Sequence, residues 1–180
     1  MTQTNTNDKK VLIVFFSRDG QNWGRSGVTF IKEGNTRRAI RVIQEQIAAD
    51  SFEIVPDLPY PEDYYRCTQV AQEEFDSGAK PAFKGPVPDT AAYDAVIIAT
   101  PIWWGHMPKI LEHAVESLNL NGKTVLVLTT HAGSGLGDVP QAVKRIAPGA
   151  KAGPALSLYG TEVDQASGKI QSWLEKAGLR

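Results

Sequence analysis

The stretch Ala95-Val-Ile-Ile-Ala-Thr-Pro-Ile-Trp-Trp-Gly-His-Met107 decides how the rest of the chain is read. Its first five residues, Ala95 to Ala99, are an unbroken apolar run, which fits a strand buried on both faces. The run stops at Thr100-Pro101. Two tryptophans, a glycine and a histidine follow, and then a helical pattern begins. Aromatic rings at the carboxyl end of a buried strand are poorly placed for core packing. They are well placed to wall a flat ligand, because ligands in open α/β sheets bind beyond those strand ends. The competing reading is that Trp103 and Trp104 only cap an edge of the core.

Working outward, Val11 to Phe16 is a second apolar run and reads as the first strand. Asp19 to Glu33 is polar and glycine-rich, with Trp23 and Phe30 inside it, and is long for a strand-to-helix connection. The helix after it runs from about Thr36 to Ala49, with Ile40, Ile43 and Ile47 on one face. Phe52 to Val55 reads as a short second strand. From Glu62 to about Phe75, Tyr64, Cys67, Thr68, Ala71 and Phe75 share a helical face that Gly78 terminates. Downstream of the opening stretch, Met107, Ile110, Leu111, Ala114, Val115 and Leu118 keep helical spacing. Lys123 to Thr130 is a fourth strand. Asp138 is placed to cap a helix to about Ala147, with Pro140 in its first turn. Ala155 to Tyr159 is a fifth strand, and a last helix spans about Gln165 to Ala177. Strands alternating with amphipathic helices mean βαβ units and a parallel sheet. The expected architecture is α/β: a doubly wound five-stranded parallel sheet of order 2-1-3-4-5, with helices on both faces.

The chain has 180 residues, enough for one domain with a full core, read as residues 11–180. A formal net charge of -1 implies no basic surface for nucleic acid or anionic lipid. The single cysteine, Cys67, excludes an internal disulfide and a multi-cysteine metal site, and no metal is expected. No apolar run reaches membrane-spanning length. Residues 1–10 are polar and lack the apolar centre of a signal peptide, so a disordered tail on a cytoplasmic protein is expected.

The predicted strand order brings three loops to one sheet end. The first closes in Gly34-Asn35-Thr36 directly before a helix. Glycine lets backbone approach a ligand, Asn35 and Thr36 offer side-chain hydrogen bonds, and a helix start supplies N–H groups and partial positive charge, a combination suited to phosphate. Asn35 or Thr36 is more often simply a helix cap. Ser17 is a further phosphate donor or an ordinary strand-end serine. Arg37 and Arg38 are expected to face solvent. The second loop is Thr100 to His106. The third, Thr129-Thr130-His131-Ala132-Gly133-Ser134-Gly135-Leu136-Gly137, exposes bare backbone that can pair with the polar rim of an isoalloxazine ring. Its glycine spacing and its place after strand four do not match the dinucleotide fingerprint. His106 and His131 can assist proton transfer or simply hydrogen-bond within their loops. His131 is the candidate catalytic residue.

With these residues in place, the sequence resembles the flavodoxin-like superfamily, and within it proteins related to small FMN-dependent NAD(P)H:quinone oxidoreductases. The resemblance runs from about Lys10 to Leu179. It rests on Phe16-Ser17-Arg18 with Gly34-Asn35-Thr36, Pro59-Tyr60-Pro61, Tyr93-Asp94, Thr100-Pro101-Ile102-Trp103-Trp104-Gly105 and Thr130 to Gly137 occurring in that order. It implies non-covalent FMN. Ser17, Asn35 and Thr36 are then expected at the phosphate, Pro101, Ile102, Trp103, Trp104 and Gly105 along the ribityl chain and ring, and Thr130, His131, Ala132, Gly133, Ser134, Gly135 and Gly137 at the pyrimidine edge. The family's compact phosphate motif is split here by Asp19 to Glu33. Trp23 in that insertion is placed either to lie over the ring or to anchor its own loop.

Three functions follow. A small reductase would pass electrons from NAD(P)H to a quinone-like acceptor, with the insertion as a lid. An electron carrier would dock a redox partner protein, although carriers of this resemblance are strongly acidic and this chain is nearly neutral. A module without cofactor would serve binding only, with the split motif as its support. Related reductases are often homodimers.

Overall fold

In the computed structural model, which describes residues 9–180, the apolar runs become the centre of a parallel sheet. The elements are β1 (Val11–Phe15), β2 (Gly20–Gly24), β3 (Gly27–Ile31), α1 (Asn35–Gln44), β4 (Asp50–Glu53), α2 (Tyr64–Ser77), β5 (Ala95–Pro101), α3 (Lys109–Glu116), β6 (Thr124–His131), α4 (Val139–Ile146), β7 (Lys151–Tyr159), a 3-10 helix (Gly160–Gln165) and α5 (Ser167–Lys176). The main sheet has the order β4-β1-β5-β6-β7. With the small β2–β3 pair set aside, this is the expected 2-1-3-4-5, and every pairing within it is parallel.

Period-two alternation divides the core between the two faces. Val11, Ile13 and Phe15 of β1 pack with Ile97 of β5 and with Ile40, Ile43, Ile170 and Leu174 from α1 and α5. Leu12, Val14 and Ile98 face the other way, onto Ile110, Leu111, Val115, Val139 and Val143 from α3 and α4. A central parallel strand must be apolar on both sides, which is why β1 and β5 are legible as continuous runs.

The edges are less legible. β4 occupies Asp50–Glu53 rather than Phe52–Val55, because an edge strand with solvent on its outer side carries no apolar signature. β7 begins at Lys151 and runs through Pro154, where a later start at Ala155 was expected. Proline is tolerated because β7 is the other edge, and the Pro154 carbonyl accepts from the Trp173 indole at 2.8 Å. Two helices are also shorter than their patterns: α1 stops at Gln44 and α5 starts at Ser167.

The largest departure lies in Asp19 to Glu33. The expected irregular loop is an antiparallel hairpin, β2–β3, pairing Trp23 with Val28 and Gly24 with Gly27. The expected tail falls outside the described residues up to residue 8. Lys10 already belongs to the fold, its backbone N–H donating to Asp94 at 2.8 Å. Among the described residues, no helix is long and apolar enough to cross a membrane.

Candidate functional site

The carboxyl ends of β1, β5 and β6 are neighbours, so the three loops meet at one sheet edge. At the first, Gly34 is the N-cap of α1. It is buried so tightly that a Cβ there would come within 2.1 Å of Ser17 Oγ and 2.8 Å of the Arg18 carbonyl. Ser17 Oγ accepts the Arg37 N–H at 3.1 Å, capping a helix that begins 18 residues later. The motif that is split in sequence is therefore closed in space. Neither Asn35 nor Thr36 acts as a cap. Asn35 Oδ1 accepts from Arg38 at 2.8 Å, and the Thr36 hydroxyl is buried against that of Thr130, also at 2.8 Å. Among the described residues, the N–H groups of Asn35 and Thr36 meet no acceptor, and the first turn of α1 holds no acidic residue. This is the electrostatics an anion needs. Arg37 faces solvent and pairs with Glu53. Arg38 does not face solvent as expected: its side chain, 18% exposed, turns toward Asp164 and Asn35.

In the second loop Trp103 and His106 exchange backbone hydrogen bonds at 2.8 and 3.0 Å across Trp104 and Gly105. Those two residues have φ of +55° and +83°, as a tight primed turn requires. The turn sends the two tryptophans to different duties. Trp103 packs edge-on against Phe16 at 5.3 Å and Tyr60 at 5.0 Å, which ties it to the core as the competing reading held. Trp104 is 56% exposed and is held by its indole N–H on the Thr68 carbonyl at 2.8 Å. Thr100 is fully buried, and its hydroxyl donates to the Pro101 carbonyl.

The third loop is fastened to the second. Asp138 N–H donates to the Gly105 carbonyl at 2.9 Å, and His106 Nδ1 bonds the Asp138 carboxylate at 2.8 Å. Asp138 occupies the N-cap position of α4, but its side chain is spent on His106 and makes no capping bond. The His106 ring stacks on Phe75 at 3.8 Å, which brings α2 into the same assembly. The Thr129 hydroxyl donates to the Gly135 carbonyl, bracing the loop from below. His131 Nδ1 accepts the Gly133 N–H at 2.9 Å, so the ring carries its proton on Nε2. Burial lowers its pKa from the ordinary value, with Glu162 opposing the shift. The ring packs against Tyr159 at 4.5 Å.

These pieces border a cavity of about 540 Å³, of a size that holds drug-like ligands and cofactors. Of the expected residues, Ile102, Trp103, Trp104, Gly105, Ala132 and Ser134 line it. Thr100, Pro101, Thr130, His131, Gly133, Gly135 and Gly137 frame the loops without lining it. Asn35 borders a neighbouring hollow of about 440 Å³ on the other side of the hairpin, and Ser17 a smaller one of about 270 Å³. Asn22 and Trp23 line both the cavity and the 440 Å³ hollow, so the hairpin stands between them.

The rest of the cavity wall was not assigned in the sequence. It comes from Arg18, Asn22 and Trp23, and from Tyr64, Tyr65, Cys67, Thr68 and Ala71 of α2. The shared helical face of Tyr64, Cys67, Thr68 and Ala71 was the available signal, but periodicity alone does not say whether a face meets core or ligand. Asp63 caps α2 by accepting the Arg66 N–H, and Gly78 ends it in the left-handed conformation. Burial raises the Cys67 thiol pKa, and raises that of the Tyr60 phenol beside the Glu74 carboxylate, to which it donates at 2.9 Å. His113, bonded to the Pro81 carbonyl and packed on Phe83, lies away from the site. Among the described residues, no group of three His, Cys, Asp or Glu converges as a metal site.

Known proteins with this fold agree with the architecture. A candidate flavoprotein of Bacteroides eggerthii superposes with a TM-score of 0.75 at 24% identity, over 96% of this chain and 99% of that one. One from Bacteroides uniformis gives 0.68 at 24%, over 91% and 98%. A Lactobacillus acidophilus flavoprotein, crystallised in complex with FMN, gives 0.61 at 18%, over 87% and 97%. At these identities the likeness speaks for the fold. No curated protein matches the sequence. The family model described as flavodoxin matches residues 27–177, most of the described chain, and the protein therefore belongs to the flavodoxin family.

Proposed function

We propose that this protein holds FMN non-covalently and acts in the cytoplasm as a small oxidoreductase, moving electrons from NAD(P)H to a quinone-like acceptor. One observation carries the reading: a helix start with free N–H groups and an aromatic-walled cavity lie at the same sheet end. The residues fit the cofactor. Ser17, Asn35 and Thr36 surround the helix start where a phosphate is held. Pro101 to Gly105 and Thr130 to Gly137 supply the apolar wall and the bare polar backbone that a ribityl chain and a pyrimidine edge need. When bound, FMN supplies the redox chemistry; the protein positions it and tunes it. Overall, NAD(P)H, a proton and the acceptor become NAD(P)⁺ and the acceptor reduced by two electrons and two protons. Gly137 lets its loop approach the Gly105 carbonyl at contact distance. His131, whose Nδ1 accepts the Gly133 N–H, shapes its loop.

The near-neutral charge and the hairpin beside the cavity favour a reductase over a carrier that docks by charge. A spectrum of the purified protein, mass identification of released flavin and steady-state NAD(P)H oxidation with a quinone test the reading. Turnover well above that of free FMN supports it. Bound FMN without turnover turns the assignment to a carrier, and no uptake of FMN turns it to a cofactor-free module. Light scattering on the loaded protein tests the homodimer that goes with a reductase.

A further inference from the structure

We propose that Trp23 and Arg18 form a second half-site in the cavity, a slot for a planar ring bearing an anionic group, and that they set which electron donors or acceptors reach the cofactor. The inference rests on the FMN reading above and goes beyond it to two residues that reading gives no part in holding the cofactor. The loops assigned to FMN supply one part of the cavity lining. The hairpin and α2 supply the remainder.

Trp23 is an apolar ring that folding has pinned without covering. It packs on Tyr64 at 5.7 Å, and Tyr64 is braced edge-on by Tyr65 at 5.4 Å. Yet Trp23 remains 44% exposed. The hairpin that carries it is tied down at its base. Gln21 Oε1 accepts the Tyr64 N–H at 2.9 Å, and Arg18 Nη2 donates to the Pro61 and Glu62 carbonyls at 2.7 and 2.8 Å. A ring held still before a ligand arrives loses little entropy on binding, which is what a stacking platform requires.

Arg18 gives the slot its sign. Among the described residues it is the one formally charged side chain lining the cavity, and no carboxylate lines it. Its guanidinium donates to the carbonyls of Gln21, Pro61 and Glu62, leaving the Nε–H and one Nη1–H uncommitted among the described residues. In a cavity otherwise walled by rings and small groups, that charge selects an anionic or strongly polarised oxygen. A planar aromatic acceptor and a nicotinamide dinucleotide share this chemistry, and the experiment separates them.

Calorimetric titration of the FMN-loaded full chain with anthraquinone-2-sulfonate and, separately, with NADP⁺ tests the slot. The fused rings of the anthraquinone leave no open quinone ring carbon for Cys67 to add to. FMN affinity is measured in parallel by flavin fluorescence. Trp23→Ala is expected to weaken the probe that uses the slot by roughly tenfold, Trp23→Phe to restore most of the loss, and FMN affinity to stay unchanged. Loss for the sulfonate alone identifies the acceptor, loss for NADP⁺ alone the donor, and loss for both a slot used in turn. In the wild-type protein, the planar sulfonate is expected to bind about threefold tighter than neutral 2-(hydroxymethyl)anthraquinone, and far tighter than bulky camphor-10-sulfonate. Equal binding of both probes by wild type and Trp23→Ala overturns the slot while leaving the FMN reading intact. So does an equal loss of FMN affinity, which would make Trp23 part of the cofactor's own site. Equal binding of the neutral probe removes Arg18 from it. A wild-type chain that takes up no FMN ends both proposals together.

Discussion

At Gly137 one hydrogen atom decides whether two loops can touch. Its φ is +53°, and a Cβ there would lie 2.2 Å from the Gly105 carbonyl oxygen, the same oxygen that accepts the Asp138 N–H. Backbone strain and collision act together, so Gly137→Ala is expected to destabilise the fold by about 2 kcal/mol or more, read as a lower urea midpoint. Ala at Gly133, whose Cβ would meet open space, tests conformational strain alone and is expected to cost less. Trp104 carries its own positive φ of +55° without being glycine, and such residues collect where a ligand is held. His131 offers a pH-dependent readout. Burial holds its folded pKa below the ordinary value of 6.5, so the folded protein binds the proton less well than the unfolded chain. That contribution to stability is fully present above pH 6.5 and is lost as pH falls through the folded pKa. Thermal midpoints of wild type and His131→Asn between pH 8 and 5 should show wild type losing ground on the acid side. Parallel curves would rule this out.

Between elements, the hydroxyl pair Thr36–Thr130 joins the first turn of α1 to the end of β6 inside the core, where both residues are at most 4% exposed. Removing one hydroxyl leaves the other buried and unpaired, whereas removing both leaves no orphan. Thr36→Val or Thr130→Val alone is therefore expected to cost about 1–3 kcal/mol, and the double variant much less than the sum. A double-mutant cycle by chemical denaturation checks the sign of the coupling. Residue type marked these threonines as candidate ligands, but only the packing of a helix against a strand 94 residues away reveals that one satisfies the other. The hairpin makes the same point. Gly24 and Gly27 flank its turn, yet β2 and β3 carry mixed exposure and no clean alternation, so no strand pattern was there to read.

Across the molecule, the FMN reading predicts a linkage. A ligand that binds only the folded chain stabilises it by about 2.7 kcal/mol when present at 100 times its Kd. Added FMN should therefore raise the Tm in a concentration-dependent way, and riboflavin, which lacks the phosphate aimed at α1, should raise it less. Equal shifts would remove the helix start from the binding site. The sequence by itself determined the central strands, the helices between them and the three loops, because strands buried on both faces and helices buried on one leave apolar marks that need no neighbour to interpret, and the strand order followed as the usual arrangement of such units. Tertiary structure alone decided the closure of the split phosphate motif through Ser17 and Gly34, the opposite duties of Trp103 and Trp104, and the wall that Trp23, Arg18 and α2 add to the cavity. Those outcomes depend on which surfaces meet across long sequence separations, and the chain's local pattern carries no record of such meetings.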